Sequence, residues 1–359
     1  MSTSANAARQ EAPRGGPLSG AGPRRLGLAV LAAAAVAAPF VAPGLQSQMA
    51  VLWVMVVLAL TWDVVGGQMG YNSFGNIVFF GAGMYASAVV QRALSLNAQE
   101  TTTAGAGGAE ALLAPIQYLG GLGLGLACAA LVAVLVALPL GASILRLRGH
   151  YFAICTLGLG VAAGEIASAW DWLGAGSGLV TPLFPEALGN RNRFFCFYFL
   201  ALAGACFAVL KLLYRRRFGL LINAIRDDED KAEAMGLPTI RAKVVAWSVA
   251  AFFLALAGGA YGNFIGFIDP LDIAFSGATF GVWMILMAIM GGRGTLWGPI
   301  LGAMVFHVTQ ELFWTFLLGW HRVAMGLLIV VIVTFLPDGI LGWVRERRGG
   351  AALAEGRRA

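Results

Sequence analysis

The sequence predicts an all-α polytopic membrane protein with about 8–10 transmembrane helices, some of them broken or re-entrant. Three observations carry this prediction. Of 359 residues, 59% are hydrophobic and 12% charged, whereas soluble domains carry about 25% charged residues. The apolar residues fall into ten stretches, most of them near the length of about 20 residues that a spanning helix needs. Lysine and arginine divide unevenly between the two sides these stretches define.

Residues 1–25 are rich in Ala, Gly, Pro and Arg and contain no apolar run. They are expected to form a disordered cytoplasmic tail. A transmembrane domain over 26–343 follows, with apolar stretches at 26–42, 49–66, 74–91, 116–140, 150–170, 194–214, 244–267, 274–291, 296–318 and 322–341. The stretches at 74–91 and 274–291 are short and predict broken or re-entrant helices. Residues 344–359 form a basic cytoplasmic tail. A cleaved signal peptide is the alternative reading of the first stretch, and cleavage leaves the remaining topology unchanged.

With a cytoplasmic amino terminus and ten spans, 19 Lys and Arg residues lie inside. Only Arg92, Arg191, Arg193 and Arg322 lie outside, and Lys211 sits at a helix end. The positive-inside rule selects this orientation and checks the parity of the helix count. The net charge of +6 therefore reflects membrane topology, and no nucleic-acid partner is implied. The chain contains 49 glycines. The pairs Gly121/Gly125, Gly160/Gly164 and Gly298/Gly302 have the spacing that lets membrane helices approach closely.

The outer segments 92–115 and 171–193 read as flexible loops by their turn residues. The inner segment 215–243 is different. The run Asp227 to Met235 suits a short helix, acidic at its start as the helix dipole favours. Asp227 and Lys231 are spaced i,i+4. Gly236 followed by Pro238 is a stop signal. Ile225, Ala232 and Met235 are expected to share one face.

Several chemistries find no support. Lys211, Lys231 and Lys243 are the three lysines and none follows glycine, so no P-loop for ATP is present. His150, His307 and His321 are far apart, and no HExxH motif exists. No GxSxG elbow occurs either. The four cysteines, Cys128, Cys155, Cys196 and Cys206, form no CxxC pair and read as small hydrophobes. The chain is thus expected to bind no cofactor or metal. Polar groups inside apolar stretches are costly and mark candidate sites or interhelical bonds. These are Asp63, Glu165, His307, Gln310 and Glu311. Asn72, Ser73 and Phe74, with Phe79 and Phe80, follow a glycine-rich break (Gly66, Gly67, Gly70). Broken helices of that kind line substrate paths in transporters. Tyr151 joins this list of path candidates.

Four stretches carry a resemblance to a known family. They are Gly70–Gly75 with Phe79–Tyr85, Leu147–Gly158, Ala224–Gly236, and Gly291–Pro299 with the later Pro337–Ile340. In order and spacing they resemble the LivM-type permeases of branched-chain amino-acid ABC importers. His150 and Val161 depart from residues that are often acidic in relatives. The resemblance implies the ABC importer permease fold in a bacterial inner membrane, with both termini cytoplasmic. It implies a second related permease, two cytoplasmic ABC ATPase subunits that use ATP, and a periplasmic solute-binding protein. It also implies that Arg226, Asp227, Asp228, Glu229, Glu233, Ala234, Met235 and Gly236 form the segment that docks on an ATPase. The transported solute is then a branched-chain or related amino acid, or, with the same architecture, urea, a short amide or a sugar. A passive channel or an ion-coupled carrier, with Glu165 or His307 as the ion site, is the reading of another class.

Overall fold

The computed structural model describes residues 33–103, 115–317, 319–335 and 339–342. The expected tails and most of the low-complexity run at 101–108 lie outside these residues. The chain divides into two compact units, Met1–Pro43 and Gly44–Ala359. In the first, residues 33–41 are helical (α1).

The second unit contains α2 (Gln46–Asp63), α3 (Ile77–Thr103), α4 (Pro115–Ile144), α5 (Gly149–Ala169) and α6 (Arg191–Arg215). Two short helices follow, α7 (Arg217–Asp227) and α8 (Glu229–Ala234). Then come α9 (Thr239–Ile265), α10 (Val282–Gly291), α11 (Gly298–Phe316) and α12 (His321–Phe335). Each of the ten predicted apolar stretches overlaps a helix among the described residues, the first of them α1. Among the described residues, seven segments are long and apolar enough to cross a membrane: Pro43–Gln68, Ile77–Leu94, Pro115–Ile144, Gly149–Ala169, Arg191–Arg215, Thr239–Ile265 and Pro270–Gly291.

One break falls beside its short stretch and one inside it. Helix α2 opens into a wide π turn at Val64–Gln68, and residues 69–73 carry no regular structure before α3 begins. Gly67 is obligatory there. A Cβ at that position would lie 1.8 Å from Asp63 Oδ1 and 2.5 Å from the Gly294 amide nitrogen. Helix α3 itself runs unbroken for 27 residues. Two further π turns, Pro270–Ala274 and Gly277–Gly281, precede α10, so the segment 274–291 is a broken helix as its shortness predicts.

Helices α3, α4 and α9 pack on one another, while α2 packs against α6, α9, α10 and α11. Small residues set the closest approaches. A Cβ on Gly258 of α9 would lie 2.0 Å from the Phe80 carbonyl of α3. One on Gly302 of α11 would lie 1.8 Å from the Met287 carbonyl of α10. Of the predicted glycine pairs, Gly298/Gly302 is therefore at backbone contact, and in Gly121/Gly125 a Cβ on Gly125 would lie 2.9 Å from the Ser87 carbonyl, whereas Gly121 has ordinary clearance of 3.7 Å. Burial is uneven. In α2 78% of the apolar stretch is buried, against 28% in α5, which leaves α5 a largely free surface.

The segment 171–193 is more ordered than its turn residues predict. Leu179–Val180 (β1) pairs antiparallel with Phe267–Ile268 (β2). The Thr181 amide donates to the Gly266 carbonyl at 3.1 Å. The glycines there serve defined turns, Gly174 and Gly178 having φ of 89° and 75°, rather than mobility. This clasp joins the end of α9 to the loop after α5. The ends carrying Asp63, Leu145, Arg215, Thr239, Gly291 and Gly298 gather around α7 and α8 at the opposite pole.

Candidate functional site

The inner segment is an elbow of two helices rather than the single one predicted. Helix α7 ends at Asp227, because Asp228 is extended (φ −163°) and its carboxylate accepts the Lys231 N–H at 3.0 Å. That is an N-cap, and it restarts the chain as α8. Lys231 accordingly pairs with Asp228 at 2.8 Å and not with Asp227, which pairs with Arg226 at 3.1 Å. The Lys231 ammonium and amide hold the Asp228 carboxyl below the ordinary carboxylate value. Gly236 ends the turn at φ 80°, a left-handed conformation that favours glycine. Ile225 and Ala232 are buried as predicted, but Met235 is 70% exposed. With Asp227, Ala234 and Gly236, also exposed, it forms the free face of the elbow.

Glu229 points the other way, into the bundle. Its Oε1 lies 2.6 Å from Nζ of Lys243, which has no solvent exposure. The ammonium also donates to the Leu145 carbonyl at 2.7 Å and the Tyr71 hydroxyl at 3.0 Å. Its three N–H donors are thereby all used. The ring of Tyr71 lies 4.7 Å beneath it, which adds a cation–π attraction. The Tyr71 hydroxyl donates to the other Glu229 oxygen. Burial, and then this bond, push the phenol well above its usual pKa, so it stays a donor. Arg148 closes the cluster from outside, reaching Glu229 at 3.4 Å, Glu233 at 3.3 Å, and Asp230. The bond to Asp230, followed by the charge of Glu229, holds the guanidinium firmly protonated. Thr239 Oγ1 donates to Glu233 Oε1 at 2.7 Å.

The cluster ties α8 to four membrane elements: the break before α3 through Tyr71, the end of α4 through Leu145, the start of α5 through Arg148, and α9 through Lys243. Taking a lone ammonium out of water costs several kcal/mol, so Lys243 holds this geometry only while its acceptors stay in place. A second link lies beside it. Asp63, at the end of α2, accepts the Gly294 N–H at 2.7 Å. Arg226 of α7 covers Gly70, its Cγ lying 3.1 Å from where a Cβ there would be. The glycine-rich loops at 66–70 and 291–298 thus meet the elbow.

The predicted path residues do not form one group. Asn72 is exposed and Phe74 half-buried. Ser73 is buried, its hydroxyl donating to Asn76 Oδ1 at 2.8 Å and its carbonyl accepting from Trp62. Phe79 and Phe80 are fully buried and pack on Trp247 and on Tyr261 and Phe280, so they belong to the core of this subunit. Tyr151 and Glu165 both lie on the exposed face of α5, fourteen positions and so nearly four whole turns apart. His307 is buried on α11 against α2, away from that face.

Sequence reasoning missed Lys243, Tyr71 and the inward aim of Glu229. One signal was present. Lys243 stands at the start of a long apolar stretch that it would join as a fifth helical residue, where a charge needs a partner. Among the described residues, no group of His, Cys, Asp and Glu could hold a metal ion.

Comparison with known proteins agrees with this architecture. A family model described as the branched-chain amino acid transport system / permease component matches residues 44–333. The high-affinity branched-chain amino acid transport system permease protein LivM of Escherichia coli K12 is 26% identical, over 92% of this chain and 79% of its own length. LivH of Salmonella typhimurium is 30% identical over 35% of this chain and 40% of its own. The fructose import permease protein FrcC of Rhizobium meliloti is 28% identical over 38% and 37%. No solved structure matches the chain. The match over 44–333, together with the multi-helical membrane architecture, places the chain in the branched-chain amino-acid transport permease family.

Proposed function

We propose that this chain is the membrane-spanning subunit of an ATP-driven importer for branched-chain or related amino acids. It works with a second related permease, two cytoplasmic ATPase subunits and a periplasmic binding protein in a bacterial inner membrane. The observation that carries the reading is the attachment of α8 to four membrane elements through Glu229 and Lys243. A short helix whose free face carries Asp227, Ala234, Met235 and Gly236 suits docking on another protein. A charge cluster behind it suits transfer of that partner's motion to the bundle. Closure of the ATPases on ATP then moves the elbow, and the bundle alternates between outward and inward access. The exposed face of α5, with Tyr151 and Glu165, is the surface that meets the second permease and lines the solute path.

The test is uptake in cells carrying the complete set of subunits. Leucine uptake that disappears when an ATPase active site is inactivated supports the reading, and undiminished uptake overturns it. Similarity to a fructose permease favours a sugar as the second solute class. Competition of leucine uptake by unlabelled fructose or urea separates these solutes.

A further inference from the structure

At the pole opposite the elbow, α2 and α11 enclose a pocket of about 340 Å³. Its walls include Leu45, Leu52, Val308 and Leu312, and its polar groups include Gln48, His307 and Glu311. Leu45, Val308 and Leu312 are 47%, 57% and 49% exposed, so the mouth opens on the apolar flank of the bundle. Exposed Trp314 and Trp320 stand near it in sequence, as aromatic residues do at a membrane interface. Glu311 lies five residues before the end of α11 at Phe316, about 7 Å along the axis. That is the depth of lipid headgroups.

Gln48 supplies a donor to Glu311, while His307 Nδ1 has no partner. His307 is only 6% exposed. Its Nδ1 is screened from solvent. Glu311, one turn along the same face, accepts from Gln48 Nε2 at 3.1 Å. A carboxylate has about four lone-pair sites, and among the described residues no cation pairs with this one. A half-buried carboxylate at that depth attracts the cationic groups of lipid headgroups. A ligand that fits must carry a cation with several N–H donors and an apolar body that can leave through a lipid-facing mouth.

We propose that this pocket binds the primary ammonium of an aminophospholipid headgroup, the Glu311 carboxylate accepting its N–H groups. The ligand comes from the leaflet at this pole, and its acyl chains lie along Val308 and Leu312. The site is separate from the elbow and from the exposed face of α5.

The full chain, purified with its partner subunits, is incorporated into nanodiscs containing phosphatidylethanolamine or phosphatidylcholine, and bound lipid is measured by native mass spectrometry. Ethanolamine lipid is retained about tenfold over choline lipid, which has no N–H to donate. Glu311→Gln keeps the shape of the side chain and abolishes that preference, while the protein remains inserted and monodisperse. Equal retention of the two lipids by the native protein, or an unchanged preference in Glu311→Gln, overturns the proposal. Displacement of the lipid by free leucine would assign the pocket to the solute's ammonium and overturn the lipid source. Lipid retention is read without ATP, so its failure is distinct from failure of the importer reading.

Discussion

The Lys243 ammonium and the Glu229 carboxylate are 2.6 Å apart, on two helices separated by the turn at Gly236, and the lysine is wholly screened from solvent. Glu229 belongs to the elbow, and Lys243 to a helix that crosses the bundle. A displacement of one is therefore felt by the other.

Lys243→Met removes the buried cation from Glu229 and leaves it only the half-exposed Arg148 at 3.4 Å. Breaking one partner of a buried pair costs roughly 3–5 kcal/mol. The expected result is a large loss of folded protein, read by fluorescence-detected gel filtration after heating. The double change Lys243→Met, Glu229→Gln removes the stranded charge and recovers much of that stability. It still hydrolyses ATP with little solute transport, because the elbow is no longer fastened.

Changing Glu233 and Gly236 together to alanine acts on the elbow alone. Glu233 loses its bonds to Arg148 and Thr239. An alanine at the φ of 80° of Gly236 costs roughly 1–2 kcal/mol. The protein stays in the membrane, and ATP hydrolysis is expected to uncouple from transport. Normal uptake per ATP consumed in proteoliposomes would contradict this.

Gly302→Ala drives a methyl group into the Met287 carbonyl. Overpacking of this kind costs roughly 1–3 kcal/mol. Gly121→Ala has room and is expected to be neutral. Melting temperatures of the two variants in one detergent compare them directly.

Glu165→Gln removes a charge from the exposed face of α5. Leucine uptake is expected to fall through a raised KM, with ATP hydrolysis and protein level unchanged. Wild-type kinetics would assign the carboxylate to lipid or subunit contact.

The Asp228 cap supplies the pH dependence of the elbow. Its pKa is depressed below the ordinary 3.8 by Lys231. A depressed carboxylate stabilises the folded state above its unfolded pKa, and the contribution fades as pH falls through the folded value. Amide exchange at Lys231, corrected for intrinsic rate, should hold steady from pH 5 to 8 (roughly, given such linkage). It should accelerate only in strong acid.

Much of this was legible in the chain. The ten apolar stretches, the break at Gly66–Gly70 and the stop at Gly236 each express a local constraint: length, backbone freedom or turn geometry. The elbow was legible as polar and helical, yet its two-helix form was not. Whether Asp227 or Asp228 caps a helix depends on an extended backbone at one residue, and both carry the same side chain. Met235 reads as buried by spacing, but no neighbour covers it. Phe79 and Phe80 follow a break, as path residues do, and only Trp247, Tyr261 and Phe280 show that they close the core.

Composition and periodicity alone dictate that this chain enters a membrane as helices, because a hydrocarbon solvent admits few other ways to satisfy a backbone. The uneven spread of Lys and Arg predicts an orientation from sequence alone, since that bias is summed over whole loops. Which charges meet is a different matter. Tyr71, Leu145, Arg148, Glu229 and Lys243 span 172 residues between Tyr71 and Lys243, and no local rule relates them. Only packed helices bring them within bonding distance, and a buried ammonium holds there because every acceptor arrives together.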